Sequence, residues 1–306
     1  MVDGFSGMVR RVDRLGWSRG GEPSFRFVGT MREMVERKSV FVVILAVLGS
    51  ACGQAREAPV AIPARATALA IAPDYAGTIW ATAGSHVYRS HDGGHTWRRV
   101  AHTAGSGVAF LEKQVVLVDG GRVGVAGLGA TRLAERPEPR SIVAVATPYY
   151  RTNRLYGLDP AGRLWLSVRD GRRWVALRAA GLPAGCGALA AVRGDPLRPD
   201  AVYVACGERG IWRSGDFGAS FKRLPSAPAA TAVATTTDDH TRLLAAAPDG
   251  LYLSTDAGRR FRRVARVAGV SAVAFDLRNY LVAYAALDRT LLRSADGGVT
   301  WAIPRR

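Results

Sequence analysis

The chain has 306 residues, 48% of them hydrophobic, and a formal net charge of +17 from 42 Lys and Arg against 25 Asp and Glu. That apolar content supports a full core, which excludes a chain too polar to fold, and the length allows one or two ordinary domains. Beyond residue 66 no stretch has a sustained helical period or the length of a membrane span, which excludes a bundle of transmembrane helices there.

Residues 1–30 form a polar lead, read as a mis-assigned start or a disordered segment, because Met31 and Met34 are good alternative starts. Arg10-Arg11 lies too far from any apolar run to act as a twin-arginine signal. Residues 31–51 read as an export signal. Arg32, Arg37 and Lys38 precede the apolar run Val40–Leu48, and Gly49-Ser-Ala leads into Cys52. The run is too short to span a bilayer. Small residues before a cysteine resemble a bacterial lipobox, with Gly49 where an aliphatic residue is usual. Cys52 is then the lipidated first residue of the mature protein. A simple secretory signal and an uncleaved anchor are the alternatives. Residues 52–65 read as a linker.

From residue 66 to 306 the chain repeats itself. Four segments share the frame Ser-x-Asp-x-Gly-x-x-(Trp/Phe), built on Ser90, Asp92, Gly94 and Trp97; Ser214, Asp216, Gly218 and Phe221; Ser254, Asp256, Gly258 and Phe261; and Ser294, Asp296, Gly298 and Trp301. The last three start 40 residues apart, the period of a four-stranded propeller blade. Two worn copies fill the gap between the first and second. Ser167–Trp174 has its acid displaced to Asp170, and Ala126–Leu133 has Leu128 in place of the acid. Each copy follows a short apolar run such as Gly250-Leu-Tyr-Leu253, and an alanine-rich run such as Ala188-Leu-Ala-Ala191 lies further upstream. Four strands per unit, lettered A to D, are expected, with the alanine-rich A strand innermost. The reading is all-β: a single six-bladed β-propeller, with seven blades as the alternative, preceded by the N-terminal signal segment. The repeat sits on the C–D turn. There Asp is expected to accept N–H groups of its own turn, Gly to supply positive φ, and the aromatic ring to pack between sheets.

This frame resembles the Asp-box, or bacterial neuraminidase repeat. The resemblance implies a superfamily holding sialidases, xyloglucan-active glycosidases, sortilin ectodomains and photosystem II assembly-factor propellers, in which the box is structural and lies away from any active site. Sialidases have an Arg-Ile-Pro stretch near the propeller start, whereas Ala61-Ile-Pro63 here has no arginine. The mature chain holds only Glu57, Glu112, Glu135, Glu138 and Glu208, with no evident Tyr partner beyond Tyr149-Tyr150. The exported single propeller of assembly-factor or sortilin-like type fits better. The resemblance implies a membrane-tethered, non-enzymatic binding or scaffold module for a protein or glycan, with no catalytic residues, cofactor or metal, and expected to be monomeric. It would stand on the outer face of the cytoplasmic membrane or in the cell envelope, or be secreted. A sialidase-like glycosidase and a structural part of an envelope complex are the alternatives.

Cys186 and Cys206 fall beside one another if Val192 pairs with Ala201, so a disulfide is expected in an oxidising compartment, two buried thiols being the alternative. The first 51 residues carry eight Lys or Arg and five Asp or Glu, so a chain beginning at Cys52 keeps +14. Much of that charge follows the repeats, as at Arg98-Arg99, Lys222-Arg223 and Arg262-Arg263. It reads as protection of the outer edge strands or as attraction for an anionic partner. Nucleic acid is not expected, since stacking aromatics do not interleave with the basic residues. His91 and His95, with His86 and His102 nearby, read as turn residues rather than metal ligands. The B–C turns carry Asp119, Asp159, Glu208, Asp249 and Asp288, which form a candidate ligand face or serve plain turn chemistry.

Overall fold

A computed structural model describes residues 61–304 except 74–76, 103–104, 112, 129–133, 136–140, 150–152, 193–199 and 237–241. The lead, the signal segment, Cys52 and the linker as far as residue 60 lie outside the described residues.

Blade 1 contains β1 (Ala66–Ile71), β2 (Ile79–Ala83), β3 (His86–Ser90) and β4 (Arg98–His102); blade 2 contains β5 (Gly107–Leu111), β6 (Gln114–Asp119), β7 (Arg122–Gly127) and β8 (Ala134–Glu135). Blade 3 holds β9 (Ala144–Ala146), β10 (Leu155–Leu158), β11 (Leu164–Ser167) and β12 (Trp174–Ala176); blade 4 holds β13 (Ala188–Val192), β14 (Ala201–Ala205), β15 (Ile211–Ser214) and β16 (Lys222–Arg223). Blade 5 comprises β17 (Ala232–Thr235), β18 (Leu243–Ala247), β19 (Gly250–Ser254) and β20 (Arg262–Ala265), and blade 6 β21 (Val270–Phe275), β22 (Ala283–Leu287) and β23 (Thr290–Ser294). Each blade is an antiparallel meander in which successive strands pair, giving a six-bladed propeller.

The sequence pattern follows from how these sheets stack. A blade is covered on both faces, so its second strand is buried at every position, as in Ile79–Ala83, apolar but for Thr82, and Leu243–Ala247. Each blade boundary holds its own apolar cluster. Phe110 and Trp80 meet between blades 1 and 2, Leu155 and Val125 between 2 and 3, and Tyr156 and Phe221 between 3 and 4. Leu224 and Leu243 join blades 4 and 5, and Leu251 and Leu292 join 5 and 6. Ile79 and Leu291 join 6 to 1 and close the ring.

Blade 6 has three strands, and the segments at Ala61 and Ala302 share the place of the fourth. Ala302 pairs with Arg293 near the lower end of β23, and Ala61 pairs with Thr290 near its upper end. The Ile62 N–H donates to the Arg289 carbonyl at 2.7 Å, and the Ile62 side chain is fully buried. The segment read as a linker therefore enters the ring from Ala61 onward. Its alternation is too short to read as a strand, and only closure of the circle gives it a partner.

Candidate functional site

The molecule has two unlike ends. One carries the C–D turns, built from the repeats, together with the A–B turns. The other carries the B–C turns and the D–A connections.

On the first end the repeat makes one hydrogen-bonded unit. In blade 4 the Ser214 hydroxyl donates to Asp216 Oδ1 at 2.6 Å and accepts from the Gly218 N–H at 2.8 Å. The Asp216 carboxylate accepts the Ser220 N–H at 3.0 Å. Ser90–Asp92, Ser254–Asp256 and Ser294–Asp296 repeat this arrangement. Burial opposes ionisation of Asp92, but the Thr96 hydroxyl and N–H and the Ser90 hydroxyl outweigh it and hold the carboxyl at about 2. At Asp296 the Thr300 hydroxyl leads the same effect, again to about 2.

The fourth residue of each turn is left-handed: Gly93, Asp170, Phe217, Ala257 and Gly297 all have positive φ. Asp170 of the worn blade-3 copy is therefore no displaced acid. It fills the left-handed position, which Asp tolerates, and Ser167 still accepts the Gly171 N–H at 3.1 Å. In the blade-2 copy Ala126 pairs with Val115 as Ser90 pairs with Ile79, so it holds the serine position. The turn there is anchored one residue early, by Leu128 N–H to the Lys113 carbonyl. The aromatic residue ending each repeat is only partly covered in three blades, at Trp97, Phe261 and Trp301, and is buried at Phe221.

On the opposite end the five acids stand on B–C turns but do not form one cluster. Asp159 is buried and accepts the Arg163 N–H at 2.9 Å and the Trp165 indole N–H at 3.4 Å. Asp249 accepts the Tyr252 hydroxyl at 2.7 Å and pairs with Arg263 at 2.6 Å. Asp288 takes a left-handed turn conformation, and Glu208 is exposed beside Arg209, which donates to the Ala184 carbonyl. No three His, Cys, Asp or Glu residues converge into a metal-binding group among the described residues.

The four histidines of blade 1 separate into two pairs. His86 and His102 face one another across β3 and β4 with ring centroids 4.8 Å apart, at the B–C end. Partial burial, His102 and Arg99 lower the pKa of His86. His91 and His95 belong to the repeat turn at the other end, where His91 Nδ1 meets the Thr78 hydroxyl at 3.2 Å and His95 Nδ1 meets the Asp92 carbonyl.

Along the axis the six A strands line open cavities of about 120 and 110 Å³. Leu69, Val108, Val145, Leu189, Val233 and Val273 line both and form the apolar waist. Thr67, Ser106, Thr231 and Ser271 bring hydroxyls to the mouth at the B–C end.

Cys186 and Cys206 are bonded, with S–S 2.00 Å. Val192 pairs with Ala201 and Ala188 with Ala205, which places the start of the A strand beside the end of the B strand. The bond ties the D–A connection to the B–C turn of blade 4.

Sequence reading missed one polar cluster. Asp200, 1% exposed, accepts the Tyr156 hydroxyl at 3.0 Å and pairs with Arg154 at 2.8 Å, joining blades 3 and 4. Burial and the Asp200 carboxylate push the Tyr156 hydroxyl pKa up, so it stays a donor. Arg154 also lies over the Phe217 ring, 5.6 Å from its centroid. The only local signal is an acid directly before an apolar B strand.

No protein-family model and no curated protein matches the chain. Among solved structures it is similar to a GH74 enzyme from Niastella koreensis, at 19% identity and TM-score 0.52, over 75% of this chain and 36% of that one. It is similar to the GH74 xyloglucanase from Xanthomonas campestris, at 16% identity and TM-score 0.55, over 79% of this chain and 47% of that one. It is also similar to YCF48 from Cyanidioschyzon merolae, at 15% identity and TM-score 0.51, over 82% of this chain and 88% of that one. The chain thus spans under half the length of these glycosidases and most of YCF48. At such identities the likeness is one of fold, the β-propeller.

Proposed function

We propose that the chain is an exported, membrane-tethered propeller of the Asp-box superfamily that binds a protein or glycan without transforming it, at the face formed by the B–C turns and D–A connections. The observation that carries this reading is that Asp159 and Asp249, two carboxylates of that face, are held by donors of their own blades. An acid fixed in this way shapes a turn and is poorly placed to exchange protons with a sugar. The disulfide supports export, because such bonds persist in oxidising compartments. YCF48, which the chain matches over most of its length, is also known bound to a D1 peptide, at 15% identity and TM-score 0.53. A peptide is therefore a natural first probe.

The test has two arms. The purified propeller is assayed on xyloglucan oligosaccharides, sialosides and aryl glycosides, and used to capture partners from solubilised envelopes. Capture without hydrolysis supports the reading, and turnover of any glycoside overturns it. Palmitate labelling of wild type and Cys52→Ser tests the anchor separately. The GH74 neighbours favour a second reading, a glycosidase. Such an enzyme needs two carboxylates about 5–10 Å apart across a cleft, and the two axial cavities are lined by apolar and hydroxyl side chains.

A further inference from the structure

The two ends differ in what they expose. Val168, Phe217, Tyr280 and Leu281 are 48%, 41%, 44% and 40% exposed, and all four stand on C–D or A–B turns. Among the described residues no large hydrophobic on a B–C turn or D–A connection is exposed to that degree. Isolated exposed apolar residues are ordinary, but among the described residues four of the six exposed large hydrophobics gather on these turns, the others being Val175 on β12 and Ile303 after the last repeat.

Phe217 is the most informative of them. It occupies the left-handed position of its turn with φ 61°, where the other repeats place Gly93, Asp170, Ala257 and Gly297. A bulky residue is disfavoured in that conformation, and exposing its ring adds a second cost. Arg154 lies against the Phe217 ring and Arg242 against the Tyr280 ring, 5.5 Å from its centroid, so both rings are held and still partly open to solvent.

On the same end the blade-3 turn is locally basic, with three arginines against Asp170. Arg169, Arg172, Arg173 and Arg259 are exposed on these turns, and none has an ion-pair partner among the described residues. Asp92, Asp216, Asp256 and Asp296 keep their negative charge on the same end, so the excess of arginine is local to the blade-3 turn.

Apolar tips among unpaired guanidinium groups are the chemistry of a surface that rests on anionic lipid: rings enter the headgroup layer while cations meet phosphates. We propose that the end bearing the C–D and A–B turns seats on an anionic phospholipid surface through Phe217, Tyr280, Leu281 and Val168, with the surrounding arginines on lipid phosphates. This deepens the membrane-tethered reading without requiring the lipid on Cys52. It turns the B–C face away from the membrane, toward a partner.

Ala61 and Ala302 both pair with β23, so residues 52–306 carrying Cys52→Ser hold the whole ring and serve as the test protein. It is sedimented with vesicles of phosphatidylcholine alone and of phosphatidylcholine with one-third phosphatidylglycerol. Binding is expected only to the anionic vesicles and to weaken as salt rises. Arg172→Gln with Arg173→Gln should lower affinity about 20-fold. Phe217→Gly, which suits a left-handed backbone and keeps the fold, together with Tyr280→Ser, should lower it about tenfold. Arg178→Gln with Arg266→Gln, on the D–A connections, should leave it unchanged. Absence of binding to anionic vesicles, equal loss from the D–A pair, or indifference to the Phe217 and Tyr280 substitutions overturns the proposal. A propeller that ignores vesicles but still captures a partner loses this inference and keeps the proposed function.

Discussion

Gly94 of the first repeat backs directly onto Leu291 of the last blade, and a Cβ at Gly94 would overlap Leu291 Cδ2. Gly218 meets Leu164 of blade 3 and Gly258 meets Leu224 of blade 4 in the same way, while a Cβ at Gly298 would make an ordinary contact with Leu253 of blade 5. The glycine of the repeat therefore has two duties. It adopts positive φ, and it lets each turn sit against the preceding blade.

Gly94→Ala is expected to destabilise the propeller by about 2–4 kcal/mol, from left-handed strain and overpacking together. Gly127→Ala, where a Cβ meets nothing within 4 Å, serves as the control and should be close to neutral. Denaturant titration of both variants decides the matter. Equal midpoints would show that the blade contact carries no energy.

Asp200→Ala should cost about 2–4 kcal/mol, because it removes the buried acceptor of the Tyr156 hydroxyl and an ion-pair partner of Arg154 at a covered boundary. Tyr156→Phe removes one donor and leaves the ion pair, so about 1–2 kcal/mol is expected. The measurement is chemical unfolding at neutral pH. A smaller loss for Asp200→Ala than for Tyr156→Phe would contradict the assigned roles.

The bond between Cys186 and Cys206 closes a loop with sequence separation 20, for which chain entropy gives about 3 kcal/mol. Reduction, or Cys186→Ala with Cys206→Ala, should lower the melting temperature. It should also loosen the D–A connection before blade 4 more than any part of blade 1, as amide exchange would record.

The repeat carboxylates set a pH window. Asp92 and Asp296 fall from 3.8 to about 2 on folding, so the folded state favours their ionised forms. Their stabilising contribution is complete above about pH 4 and fades as pH drops toward 2. Thr300→Val removes the leading donor to Asp296 and should move its titration upward, toward 3.8. Carbon-detected NMR of the carboxyl resonances follows this directly. An unmoved titration would show that the hydroxyl does not hold the charge.

Much of the ring was legible because the repeat is a local device. Ser, Asp and Gly within five positions make their own turn, so Ser214, Asp216 and Gly218 announce it without help from the rest of the chain. Counting those turns, worn copies included, yields six blades. The axial place of the A strands was legible for a similar reason, since only small side chains suit converging strands. The candidate site was less legible. Asp159 and Asp249 were placed on the correct turns, but whether their carboxylates face a ligand or their own blade depends on Trp165, Tyr252 and Arg263. Nothing in the spacing of the acids reveals those partners. The four histidines looked like one group in the chain and divide between opposite ends in space.

By itself, then, the sequence determined the unit and its number: an eight-residue turn whose hydrogen bonds are nearly all internal, repeated with the period of a blade. Only the tertiary structure decided what passes between units. It gave Ala61 and Ile62 a place in blade 6, joined Asp200 to Tyr156, and gathered Phe217 and Tyr280 onto one end. The physical reason is range. A turn is satisfied by neighbours a few residues away, whereas closure, burial of a charge and the character of a face depend on residues that meet only when the circle is complete.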